Sequence, residues 1–117
     1  MQPPLLTDIR SLLRRHQTTG FDIRKQRKDG WERRAFEWYK TVLSDLTLIF
    51  GDDYSRLFDI EIGRQRNIRF PTGEKNPKYL INHTSDMLEK VMGQELTEDR
   101  ISPAPELKRR LQEALSK

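Results

Sequence analysis

The stretch WERRAFEWYKTVLSDLTLIF, residues 31–50, constrains this chain more than any other. Its apolar residues fall at Trp31, Ala35, Trp38 or Tyr39, Val42, Leu46 and Ile49, a three-and-four spacing that a helix gathers on one side. Phe36, Leu43 and Phe50 widen the stripe beyond one packing seam. At 1.5 Å per residue the helix is about 30 Å long, the width of a small domain. A helix apolar on both flanks has neighbours on two sides, so it is expected at the centre.

The remaining elements are arranged around it. In PLLTDIRSLLRRHQ, Leu5, Leu6, Ile9, Leu12 and Leu13 form the stripe of a first amphipathic helix, which TTG is expected to stop. Residues 18–30, with two glycines and no sustained period, read as a loop pinned by Phe21 and Ile23. After the long helix, Gly51 suits a C-terminal cap and Asp52 or Asp53 an N-cap. The helix that follows carries Tyr54, Leu57, Phe58 and Ile62. Between residues 58 and 70 two readings stand: a helix over 53–63, which is favoured, or a short β-hairpin using the alternation Phe58, Ile60, Ile62, then Ile68, Phe70. PTGEKNP, residues 71–77, reads as a loop. Leu80, Thr84, Met87, Leu88 and Val91 mark a further helix, ended by Gly93. A polar connector leads to a short last helix with Leu107, Leu111, Ala114 and Leu115, where Glu106 and Arg110 are spaced as an i, i+4 pair.

The expected fold is therefore mainly α: a compact bundle of four to five helices around a long central one. Residues 1–93 form the helical domain, and residues 94–117 a connector and a short C-terminal helix. Leu, Ile, Val and Phe supply 29 of 117 residues, enough for a core despite 34% charged residues. No apolar run exceeds three residues, and the first charges come too early for a secretory leader, so a cytoplasmic location without membrane contact is expected. The absence of cysteine excludes disulfides and thiolate metal sites.

Chemistry-bearing patterns are sparse. His16 and His83 stand apart from acid or nucleophile motifs and read as surface or helix-end residues. Asp52 and Asp53 lack the ligand spacing of a calcium loop, and PTGEKNP lacks the paired glycines and Lys-Ser/Thr ending of a phosphate loop. No catalytic, metal or cofactor residue is assigned, no small-molecule substrate is evident, and a non-enzyme is expected. Charge is asymmetric: residues 1–34 carry nine Lys or Arg against four Asp or Glu, and residues 35–117 thirteen against fourteen. Arg24, Lys25, Arg27, Lys28, Arg33 and Arg34 surround Trp31 and are the candidate contact for nucleic acid or an acidic partner. Asp29 and Glu32 interrupt them, so weak binding is expected. Arg64, Arg66 and Arg69 form a second, equally unspecific cluster. Phe36, Leu43, Leu111 and Leu115, in excess of one packing seam, are the candidate protein interface.

The order of these elements, and WYKTVLSDLTLIFGDDYSRLF above all, resembles the small helical modules that accompany effector domains, TIR-like ones among them, in bacterial stress and phage-defence proteins. The resemblance spans roughly residues 5–92. It implies a prokaryotic helical domain for association or sensing, and it supplies no catalytic residues. The sequence departs from the pattern in carrying no effector domain beside the module, so the expectation is either a module that acts alone or a piece of a longer protein. The expected role is a non-enzymatic protein-interaction or oligomerisation module, with accessory nucleic-acid binding through the basic N-terminal third as the alternative.

Overall fold

The central helix runs from Trp31 to Phe50 and is called α2. It belongs to a computed structural model that describes residues 3–64, 76–101 and 105–116. Ala35, Trp38, Tyr39, Val42, Leu46 and Ile49 are all buried along it, as their spacing requires. The helices α1 (Pro3–Gln26), α3 (Asp52–Arg64) and α4 (Pro77–Lys90) pack against it, and α5 (Pro105–Leu115) lies chiefly on α1. The protein is a mainly α bundle of five helices, and no strand occurs among the described residues.

The first helix departs from expectation. Instead of stopping at TTG it continues for two more turns, to Gln26. Its core-facing stripe also continues, through Ile9, Leu12, Leu13, His16, Gln17 and Gly20, all buried. The apolar signal ends at Leu13 because the next core positions are polar or lack a side chain. Gly20 is a close-approach residue and not a stop: a Cβ built there would lie 2.6 Å from the Trp38 ring. A mid-helix glycine costs about 1 kcal/mol in propensity, and here it lets the indole lie directly on the α1 backbone. The helix ends instead at Arg27, whose φ of +47° is left-handed, while its amide donates to the Ile23 carbonyl at 3.1 Å. Gly30, at φ +80°, then turns the chain into α2.

Gly51, at φ +103°, ends α2, with its amide on the Thr47 carbonyl at 2.9 Å. The Thr47 hydroxyl also donates to Ser55 Oγ at 2.7 Å, which fixes the elbow. Asp52 and Asp53 occupy the first turn of α3, where negative charge suits the helix dipole. Residues 58–62 are helical, which removes the first strand of the hairpin alternative. Its second strand, with Arg66 and Arg69, lies outside the described residues, as do residues 71–75 of the expected loop.

Asn76 caps α4 through Oδ1, which accepts from the Lys78 amide at 3.1 Å, and Pro77 takes the first helical position. Gly93 does not end this element. The backbone passes through it in a π-helical turn, Val91–Glu95, followed by a 3-10 turn, Glu98–Arg100. Long-range contacts hold the π turn: Arg10 donates to the Met92 carbonyl at 2.8 Å, and the Tyr54 hydroxyl donates to the Glu95 carboxylate. Val91, Met92 and Leu96 are thereby carried into the core. Leu107 and Leu111 of α5 join the same core, so the last helix shares the body of the first four.

Candidate functional site

The most concentrated polar chemistry lies inside the bundle. Asp45, on the inner face of α2, meets His16 of α1 and Arg110 of α5. Its Oδ2 lies 2.6 Å from His16 Nε2, and Arg110 donates through Nε to Oδ1 at 2.8 Å and through Nη2 to Oδ2 at 3.0 Å. Burial pushes the Asp45 carboxyl up, but the hydrogen bonds from His16 and Arg110 outweigh it and hold the group below the ordinary carboxylate range. His16 is thus a buried residue, 7% exposed, and not the surface histidine expected. Its carbonyl accepts from Trp38 Nε1 at 2.8 Å, and the neighbouring Gln17 side chain donates to the Ser85 carbonyl at 2.9 Å. The Asp45 carboxylate thus joins three helices, and an imidazole so enclosed offers little surface to a substrate. Arg110, expected to pair with Glu106, is turned inward to Asp45, where a buried carboxylate would be costly without a partner.

Two tyrosine–carboxylate pairs tie α3 to its neighbours. Tyr39 donates to Asp59 at 2.5 Å, and Tyr54 donates to Glu95. Burial, and then the adjacent carboxylate, push both phenols well above their ordinary range.

The surface carries the more accessible features. On α3 the buried residues are Ser55, Phe58 and Ile62. Leu57 and Ile60 point the other way, 64% and 44% exposed. Leu57 also borders a groove of about 450 Å³ between α3 and the end of α4, with Tyr54, Phe58, Met87 and Val91 as its other apolar walls. Leu57 and Phe58 are both apolar in the sequence of this helix. Adjacent positions diverge by about 100° on a helix, and only one of the two reaches the core.

The candidate interface residues are distributed differently. Phe36, Leu43 and Leu115 are half-buried against the core. Leu111, 4% exposed, is a core residue, which corrects its assignment to an interface. A helix as short as α5 spends both Leu107 and Leu111, one turn apart, on holding itself to the bundle.

The basic residues are only partly gathered. Arg24, Lys25 and Arg27 border a concavity of about 570 Å³ together with Phe21, which is 45% exposed and pins nothing. Arg24 also donates to Asn82 Oδ1 at 2.9 Å, and the Arg27 guanidinium sits 5.5 Å over the Trp31 ring. Lys28 is exposed in the turn. Across that turn, Arg34 donates to the Asp29 carbonyl, and Arg33 pairs with Glu37 at 3.7 Å. Arg64 pairs with Glu61 at 3.6 Å. No helix of the described residues is long and apolar enough to cross a membrane. Comparison with protein-family models, with curated proteins and with solved structures finds no match.

Proposed function

We propose that this chain is a non-enzymatic helical module that acts by binding protein, with the outward face of α3 as its contact surface. The observation that carries the reading is the exposure of Leu57 and Ile60 on a helix whose other face is fully engaged with the core. Leu57 also borders the neighbouring groove, whose walls mix apolar Tyr54 and Met87 with charged Glu61, Lys90 and Arg100, a composition that suits a protein contact. The interior cluster of His16, Asp45 and Arg110 supports the same reading, since those side chains are occupied in joining helices. The resemblance to modules beside bacterial effector domains adds a prokaryotic stress or defence setting to the proposal. The test is sedimentation from low to high micromolar concentration. Association above the 14.0 kDa monomer mass that Leu57→Lys with Ile60→Lys abolishes supports the reading. A wild-type chain that keeps its monomer mass throughout counts against it.

A second reading, weak nucleic-acid binding, is favoured by the exposed Phe21 ring beside Arg24, Lys25 and Arg27. Aromatic platforms flanked by cations suit single strands. Arg24 and Arg27 already have internal partners, so a dissociation constant of about 10⁻⁴ to 10⁻⁶ M is expected, with a log–log salt slope of about −0.7 per phosphate engaged. A salt titration comparing wild type with Arg24, Arg27, Arg33 and Arg34 changed to Ala tests this. Nanomolar, salt-resistant binding lost in that variant places nucleic acid first.

A further inference from the structure

The outward stripe of α3 reads, in order, Asp53, Leu57, Ile60, Arg64. These positions recur at four, three and four residues, which sets them on one strip about 60° wide, opposite the buried Ser55, Phe58 and Ile62. The strip is acidic at its start, apolar in the middle and basic at its end. Such a pattern is its own complement when inverted.

We infer that the partner of this face is a second copy of the same chain, with the two α3 helices packed antiparallel about a two-fold axis. In that arrangement Leu57 meets the partner's Ile60, and Ile60 meets the partner's Leu57. Asp53 meets the partner's Arg64 at one end, and Arg64 meets the partner's Asp53 at the other. The contact is isologous, as a two-fold dimer requires. The parallel alternative would set Asp53 against Asp53 and Arg64 against Arg64, so the charges select the orientation.

The end charges are free to be shared. Asp53 pairs within its helix with Arg56, and Arg64 with Glu61; Asp53, Arg56 and Arg64 are largely open to solvent and Glu61 about half so. Exposed pairs of this kind contribute little, so redirecting them across the contact loses almost nothing. Arg56 and Glu61 flank the strip on its two sides.

Size sets the strength. A helix of 13 residues is about 20 Å long, and four side chains on it cover less than the roughly 800 Å² per partner of a stable interface. The dimer is therefore weak, with dissociation on the order of tens of micromolar or above.

This inference rests on the interaction reading proposed above and is tested by charge exchange. Asp53→Arg and Arg64→Asp are each made alone, together in one chain, and as a mixture of the two single variants. Masses are followed by sedimentation equilibrium from low to high micromolar, with thermal melts confirming that each variant folds. The expected result is that wild type approaches twice 14.0 kDa at high concentration. Each single variant, now with like charges at both ends, loses association by about tenfold or more. The equimolar mixture and the doubly exchanged chain regain it. A wild-type dimer that both single variants retain overturns the α3 pairing and leaves the interaction reading standing on another face. A wild type that stays monomeric throughout overturns both.

Discussion

Arg110 grips Asp45 with two parallel hydrogen bonds, Nε to Oδ1 at 2.8 Å and Nη2 to Oδ2 at 3.0 Å, and so fastens the last helix to the C-terminal half of the central one. The carboxylate is almost wholly buried, while the guanidinium keeps part of its surface in water. Removing either partner leaves the other without its match in or near the core. Asp45→Ala is expected to cost about 3 to 5 kcal/mol, the usual loss on breaking a buried pair from one side. Arg110→Ala is expected to cost less, because His16 stays on the carboxylate. The double variant is expected to cost less than the sum, since the two share one interaction. Urea denaturation of the three variants measures this, with Glu106→Ala as a control within about 0.5 kcal/mol.

The same carboxylate sets an acid limit. Its pKa is depressed in the fold relative to about 3.9 in an unfolded chain. The stability it contributes is therefore present above that value and lost as pH falls through it toward the folded pKa. Tyr39 and Tyr54 act at the other end. Their raised pKa values keep them neutral in the fold, so stability is lost as pH rises past about 10, where unfolded tyrosine ionises. Urea midpoints against pH are expected to fall at both ends. Asp45→Asn should flatten the acid limb, and Tyr39→Phe with Tyr54→Phe the alkaline one.

Gly20 and Trp38 make a packing prediction against helix propensity. In an open helix, Gly→Ala stabilises by about 1 kcal/mol. Here the added methyl would lie 2.6 Å from the indole, so Gly20→Ala is expected to destabilise by about 1 to 3 kcal/mol. Combined with Trp38→Leu, which withdraws the ring, the glycine substitution should become nearly neutral or favourable. A thermal-melt cycle of the four proteins reads the coupling directly.

The spine of the fold is tested by Leu46, fully buried in the C-terminal half of α2. Leu46→Ala is expected to cost about 2 to 5 kcal/mol through lost burial and the cavity left behind. Leu57→Lys, on the open side of α3, should change folding stability by no more than about 0.5 kcal/mol. Equal effects of the two on the thermal midpoint would contradict the inward and outward assignments.

The position, length and central role of α2 were legible in the sequence because its core positions are almost all apolar, and helical spacing alone separates them from the charged ones. The helical course of residues 53–63 and the leucine stripe of α5 were legible for the same reason. The end of α1 was not. Its last core positions are His16, Gln17 and Gly20, and each is explained only by a group distant in the chain: Asp45, the Ser85 carbonyl and the Trp38 ring. Apolar periodicity carries no trace of a polar residue whose partner arrives from another helix. Nor does it say which of Leu57 and Phe58 faces inward, because that depends on how α3 is rotated against α2. Local pattern determined which segments are helical and which residues are able to enter a core. The packing of one helix on another decided which of them did, because burial and the pairing of buried polar groups are properties of the assembled bundle.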